Sequence, residues 1–286
     1  MEDRRQTINW YPGHMAKARR MLEDHLKLID VVCELVDARA PEASRNPDFD
    51  ALFAGKARVL LLNKSDLADP ATNKRWIAYY QRMGIEAAEI VSTGAGAKAQ
   101  TVRLIERATA DRVKRAEEKG VKKTVRALVA GIPNVGKSTL INCIAGEKRA
   151  QTGDKPGVTK GKQWVRITPH LELLDSPGLL CPKLEDQRLA AHLGYLGSIN
   201  DEILYLEELA EQLLGTLRTL VPEALTARYK KLTADTPEGA LLETVARSRG
   251  FIVKGGEIDA ERAARIVLDE FRAGKIARVS LEQPGE

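Results

Sequence analysis

Val125-Arg126-Ala127-Leu128-Val129-Ala130-Gly131-Ile132-Pro133-Asn134-Val135-Gly136-Lys137-Ser138-Thr139 is the stretch that decides how this chain is read. A largely apolar run ends in a glycine-bounded loop, and Leu140, Ile141, Ile144 and Ala145 then recur at helical spacing. Strand, loop and helix in that order are the setting of a phosphate-binding P-loop. The glycines let successive backbone N–H groups turn inward on phosphate oxygens, at the positive end of the helix dipole. On this reading Gly131, Asn134, Val135, Gly136, Lys137, Ser138 and Thr139 surround the phosphates of a nucleotide. Lys137 reaches the β- and γ-phosphates and the Ser138 hydroxyl holds Mg²⁺. The competing reading is a chance match, and the correct flanks on both sides count against it.

At 286 residues the chain has room for one large domain or two ordinary ones, and 43% apolar residues supply an ample core. Apolar runs such as 31–33 and 59–62 are far too short to span a bilayer, so no membrane is expected. Glu2, Asp3, Arg4 and Arg5 open the chain without an apolar run, which is unlike a secretory leader. Cys33, Cys143 and Cys181 are scattered and odd in number, with neither a disulfide framework nor zinc spacing. They read as small hydrophobes in a reducing compartment, and a cytoplasmic location is expected. Residues 1–182 carry 31 Lys and Arg against 22 Asp and Glu, whereas residues 183–286 carry 14 against 18. A basic front half fits a polyanionic partner, although a surplus of this size also serves solubility.

Upstream of the P-loop, an apolar strand over 58–62 runs into Asn63-Lys64-Ser65-Asp66. A carboxylate only accepts, so Asp66 takes both N–H donors on the Watson–Crick edge of guanine, whereas adenine offers no comparable pair. ATP would leave a buried carboxylate unpaired, which amounts to rejection by several kcal/mol. Asn63 holds the other edge of the base and the Lys64 stem packs along the ring. The tetrapeptide alone is a weak signal, and its alternative is a plain strand-to-helix loop. Its place at the carboxyl end of a strand is where open α/β sheets put ligand contacts. A further strand over 86–91 ends in Ser92-Thr93-Gly94, where a backbone N–H would meet the guanine O6; an ordinary loop is the alternative.

Downstream, residues 153–161 contain Lys155-Pro156-Gly157-Val158-Thr159, and a threonine in such a loop ligates Mg²⁺ only while the γ-phosphate is present. A strand over 171–174 then meets Asp175-Ser176-Pro177-Gly178, with Asp175 holding the metal through water and the Gly178 N–H facing the γ-phosphate. All the elements of a GTPase are present, but the base-reading ones precede the P-loop. Rejoining a fold at adjacent termini and opening it elsewhere is physically harmless. The expected fold is therefore α/β: a circularly permuted Ras-like P-loop GTPase domain over 1–182, with a doubly wound, mostly parallel sheet. A smaller all-helical domain over 183–286 follows. There Leu206, Leu209, Leu213, Leu217 and Leu220 form an apolar stripe ended by Pro222. Thr236-Pro237 reads as a helix start with Gly250 as its stop, and Asp259 as the N-cap of a helix ending at Gly274. Arg262, Arg265 and Arg272 lie outward on that helix, near Arg247, Arg249, Lys254, Lys275 and Arg278. Either they track an RNA backbone or they are a solvated face.

Asn9-Trp10-Tyr11-Pro12-Gly13-His14-Met15-Ala16-Lys17-Ala18, Asp37-Ala38-Arg39-Ala40-Pro41 and the permuted motif order together resemble the ribosome biogenesis GTPase A family, also called YlqF. The likeness runs on through Gly255-Gly256-Glu257-Ile258-Asp259 and Phe271-Arg272-Ala273-Gly274-Lys275, so it covers essentially the whole chain. It implies a GTP-hydrolysing assembly factor of the large ribosomal subunit that binds immature particles with GTP and leaves on hydrolysis. It also implies rRNA contact by the helical domain and stimulation by ribosomal particles. Many Ras-like GTPases place a water-orienting glutamine after Asp-x-x-Gly; here Leu179 stands there and can do no such thing. The resemblance implies that His14 orients the water, where the residues alone allow a mere helix cap. It implies further that Asn134 helps bind K⁺ beside the phosphates, against local side-chain-to-backbone bonding. GTP and GDP, a large-subunit precursor and its rRNA are the expected partners of a monomer. A GTP- or guanine-alarmone-sensing RNA-binding module with negligible turnover is the rival reading, which Leu179 favours; an ATPase is a third, which Asp66 opposes.

Overall fold

The computed structural model describes residues 13–146, 163–175, 179 and 186–285, and of residues 13–18, 21, 163 and 175 the backbone only. In chain order the first elements are α1 (Gly13–Leu26), β1 (Val31–Asp37), α2 (Asp48–Leu52), β2 (Ala57–Asn63), α3 (Pro70–Arg82), β3 (Glu86–Glu89) and α4 (Ala97–Glu117). Then come β4 (Val125–Ala130), α5 (Lys137–Ala145), β5 (Gln163–Thr168) and β6 (Leu171–Asp175). The helices α6 (Gln187–Tyr195), α7 (Leu206–Leu220), α8 (Pro222–Arg228), α9 (Leu241–Arg249) and α10 (Ala260–Arg272) complete the chain.

All seven residues of β1 are buried, as befits a strand covered by helices on both faces. The sheet order is β3-β2-β1-β4-β6-β5, with every neighbouring pair parallel except β5 and β6. The permuted order is thus borne out: strands leading to the base-reading loops come first and lie on one side of β4, while β6 and β5 lie on the other. The chain works outward from β1 to β3 and then returns to β4 beside β1. That reversal opens a crevice at the carboxyl ends of the strands. Among the described residues no helix is long and apolar enough to cross a membrane.

The C-terminal region is helical as expected. Leu206, Leu209, Leu213 and Leu217 of α7 are buried, whereas Leu220 at its end is 43% exposed. Asp259 caps α10 by accepting the Arg262 N–H, and Gly250 closes α9 with φ +70. The expected helix start at Pro237 is corrected: α9 begins at Leu241. Its cap is not local, because the Glu211 carboxylate of α7 accepts the N–H groups of Gly239, Leu241 and Leu242 at 2.7–3.0 Å. One large apolar cluster holds both Val129 of β4 and Leu213 of α7, and a smaller one packs Trp76 and Tyr80 of α3 against Val36, Leu60 and Leu62.

A buried charge cluster ties the sheet to these helices. Asp37, at the end of β1, pairs with Arg39 through Nη2 at 2.8 Å and Nε at 2.9 Å, and with Lys64 Nζ at 3.0 Å. Arg39 is 1% exposed, and its Nη1 donates to the carbonyls of Phe271 and Arg272 at the end of α10, each at 3.2 Å. A cation at the negative end of a helix dipole is favourably placed. Burial alone would raise the Asp37 pKa, but the charges and hydrogen bonds of Arg39 and Lys64 reverse this and hold it well below the ordinary carboxylate range.

Because its folded pKa is depressed, Asp37 contributes stability that is complete above its unfolded value of about 3.9 and is lost as pH falls toward the folded value. Replacing Asp37 with Asn should cost about 3–5 kcal/mol at neutral pH, chiefly by stranding the buried Arg39 guanidinium, with half-buried Lys64 beside it. Urea melts followed from about pH 5 to about pH 3 should then show a shallower pH dependence in Asp37→Asn than in the parent chain. Parallel slopes would show that the carboxylate is not held in its ionised form.

Candidate nucleotide site

The loops that leave β1, β2, β3 and β4 gather at one end of the sheet. Asn63, the last residue of β2, is 2% exposed and joins three of them. Its Nδ2 donates to the Val135 carbonyl of the P-loop at 2.7 Å, and its Oδ1 accepts from the Ser92 N–H at 3.0 Å and the Ser92 hydroxyl at 2.8 Å. Gly136 is the counterpart of this clasp. With φ +99, a Cβ built there would stand 2.3 Å from Asn63 Nδ2, so only glycine lets the P-loop close on the asparagine. Beyond the expected hold on an edge of the base, the carboxamide of Asn63 thus binds the loops to one another.

Lys64, expected along the ring of the base, is tied to the rim itself. Its Nζ donates to the Asn134 carbonyl at 2.9 Å while pairing with Asp37. Among the described residues Lys64 (φ +58) and Asn134 (φ +62) are the non-glycine residues with positive φ, and each sits on a loop of this rim. Such backbone persists only where the surroundings over-determine it, and it concentrates at functional sites. Ser65 is buried, Asp66 is exposed on the turn Ser65–Leu67, and Thr93 is exposed beside buried Ser92. Base-reading loop and P-loop, encoded about 70 residues apart, therefore share one rim.

Within the cradle, Lys137 is 7% exposed and its Nζ donates to the Ile132 carbonyl at 2.7 Å, which points its charge back across the loop from Gly131. Ser138 and Thr139 follow in the first turn of α5, where N–H groups face an anion. Asp175 ends β6, with its Cα in register with Val129 of the P-loop strand; its side chain lies outside the described residues. Thr159 and Gly178 also lie outside them, as does Cys181. His14 stands in the first turn of α1, and its side chain is not among those described. The Asn134 side chain donates through Nδ2 to the Gly197 carbonyl beyond α6 at 2.6 Å, a longer-range contact than the local bonding considered from sequence. Leu179 is 1% exposed, with its N–H on the Gly131 carbonyl at 3.2 Å and its carbonyl accepting from Asn46 Nδ2 at 2.9 Å. In the place of a water-orienting glutamine there is thus a buried anchor. Oxygen donors such as the Ser138 hydroxyl and the Asp175 carboxylate suit Mg²⁺ in kind.

In the helical region, Arg247, Lys254, Arg262, Arg265 and Lys275 are exposed. Arg247 pairs with Glu243 and Arg265 with Glu261, and Arg249 leans on Glu270 at 3.4 Å. Arg272 does not lie outward as expected. Its guanidinium donates to the Tyr195 and Gly194 carbonyls and to both carboxylate oxygens of Asp201, at 2.8–3.0 Å. It is the fastening between α10 and the end of α6. Cys33 behaves as the small hydrophobe expected, its thiol pushed up to about 12 by burial.

Sequence reasoning missed Asp37 and Arg39 as working residues and missed the return of the last residues to the sheet. An acid at the end of an apolar strand with an arginine two positions on was the available signal for the first; nothing local marks the second.

Comparison with known proteins agrees with this geometry. A family profile described as "50S ribosome-binding GTPase" matches residues 126–237. The chain is 44% identical to ribosome biogenesis GTPase A of Priestia megaterium over 98% of both chains. It is 33% identical to the Thermotoga maritima protein of that name, over 97% of this chain and 95% of the other. The GNP-bound structure of YlqF from T. maritima superposes with a TM-score of 0.68 at 29% identity, covering 94% of this chain and 99% of that one. A GDP-bound YlqF structure gives 0.67 over 93% and 100%. With full-length identity at this level and the same fold, the chain belongs to the ribosome biogenesis GTPase A family.

Proposed function

We propose that this chain is a GTPase that assists assembly of the large ribosomal subunit, binding GTP where the base-reading loop and the P-loop meet. The observation that carries the reading is the Asn63 clasp, which makes one pocket rim out of two distant stretches. Asp66 reads guanine through N–H donors that only this base presents. The N–H groups of the loop from Gly131 to Thr139 and the Lys137 ammonium take the phosphates. Ser138, Asp175 and Thr159 are the residues that would hold Mg²⁺, which neutralises charge between the β- and γ-phosphates when bound. K⁺ beside Asn134 belongs to the same reading, carried by the family resemblance.

Leu179 has no group with which to orient water, and its side chain is buried. The water is oriented by His14, brought in by the first turn of α1. The helical region, residues 183–286, faces rRNA through exposed Arg247, Lys254, Arg262, Arg265 and Lys275, with Arg249 at their margin. Loss of the γ-phosphate frees the Gly178 contact; Leu179 and the segment leading to α6 then shift the helical region relative to the particle. The protein acts as a monomer in the cytoplasm, on a large-subunit precursor.

His14→Ala should lower single-turnover GTP hydrolysis by about 10²-fold or more in saturating K⁺, with GDP affinity within about twofold of the parent. Unchanged turnover would remove His14 from the chemistry. Co-sedimentation with large-subunit precursors tests the function as a whole: retention with a non-hydrolysable GTP analogue and release with GDP are expected, together with faster GTP hydrolysis on added particles. Nucleotide-dependent binding without any stimulation of hydrolysis would favour the sensing module over the assembly enzyme.

A further inference from the structure

The turn that carries Asp66 is held from outside by the far end of the chain. After α10 the backbone passes against it at Gly274, where φ is +67 and a Cβ would stand 2.6 Å from Leu67 Cδ2. Arg278 then donates through Nη2 to the Ser65 carbonyl and through Nε to the Ala68 carbonyl, each at 3.2 Å. The Val279 N–H donates to the Leu67 carbonyl at 3.0 Å, and the Ser280 hydroxyl accepts from the Asp69 N–H at 3.2 Å. Three carbonyls and an N–H of the turn and its exit are thus partnered by residues 278–280. One residue further on, the Leu281 N–H closes on the Arg39 carbonyl at 2.7 Å.

The start of the turn is anchored at Ser65, whose N–H donates to the Ile90 carbonyl and whose carbonyl also accepts from Asn73 Nδ2, each at 3.2 Å. Beyond Ser65 the turn has little of its own to fix its direction. Its internal bonds are Leu67 N–H to the Lys64 carbonyl at 2.9 Å and Ala68 N–H to the Ser65 carbonyl at 3.4 Å, the second beyond the usual range. It starts from Lys64 in the left-handed region, a conformation that needs external support. Asp66 itself is exposed and must meet two base donors at once with both carboxylate oxygens, which demands a fixed orientation.

We infer that residues 278–280 are a positioning element for base recognition, and that Arg278 sets guanine specificity by aiming Asp66 through the turn. The inference rests on Asp66 reading guanine, as proposed above. A turn free to rock loses the second of the two carboxylate–base bonds first. Hypoxanthine, which has the N1–H but lacks the 2-amino group, offers only one of them. Loosening the turn therefore weakens GDP more than IDP, whereas a general loss of structure weakens both alike.

The test is the ratio of GDP to IDP affinity, measured on the full chain for the parent, Arg278→Ala, Arg278→Lys and Asp66→Ala. Asp66→Ala should bring the ratio close to unity. Arg278→Ala should lower it about fivefold, one net hydrogen bond's worth, and Arg278→Lys should recover some of the loss. A ratio in Arg278→Ala within twofold of the parent, with Asp66→Ala collapsing it, would overturn the positioning role alone. An unchanged ratio in Asp66→Ala would overturn the guanine reading and this inference with it. Should Arg278→Ala melt too early to measure, Ser280→Ala removes only the Asp69 partner and is judged by the same ratio.

Discussion

A carboxylate taken out of water is costly unless cations and hydrogen bonds replace its hydration, and Asp37 at the end of β1 is 1% exposed. Its compensation comes from two different regions of the molecule. Arg39 brings with it the end of α10, because the same guanidinium that pairs with Asp37 also donates to the carbonyls of Phe271 and Arg272. Lys64 brings with it the P-loop, because the same ammonium donates to the Asn134 carbonyl. The loop after β2, the loop after β4 and the C-terminal helix are therefore arranged around one negative charge, and none of them can move far without leaving that charge uncompensated in a low dielectric.

The same arrangement gives the helices a further pair of holds on the phosphate loop. Asn134 donates to the Gly197 carbonyl just beyond α6, and the Leu179 N–H is bonded to the Gly131 carbonyl. Arg272 closes the path by tying the end of α6 to α10. Packed interiors and buried polar networks shift between discrete arrangements and do not deform smoothly. A network that meets the phosphate loop at Gly131 and Asn134 is thus well placed to convert a change at the phosphates into a change in the helices.

What the sequence discloses and what it withholds divide along physical lines. The P-loop is legible because its glycines and its strand and helix flanks are local necessities, and the permuted order follows from reading the strands on either side of it. The buried leucines of α7 show through their period. The start of α9 does not, since Thr236-Pro237 is a sound local start signal and the real cap is Glu211, about 30 positions away on another helix. Arg272 looks like an outward arginine because helical spacing puts it near Arg265. Only the three-dimensional approach of Tyr195, Gly194 and Asp201 turns it inward. Asn63 reads as a base contact because its motif says so, while its clasp on Val135 and Ser92 depends on loops that meet only when the sheet has formed.

Glu282 completes the loop after β1 from the opposite end of the chain: its carboxylate accepts the N–H groups of Glu42 and Ala43, and His192 Nδ1 lies 2.8 Å away. Translation runs from the amino end at roughly 5–20 residues per second, so β1 leaves the ribosome on the order of 10 s before that carboxylate is made. For this interval the N–H groups of Glu42 and Ala43 have water in place of the carboxylate that accepts them in the folded chain. A chain that stops before Glu282 would keep the whole loop from Gly131 to Thr139 yet lack the carboxylate that closes the segment after β1.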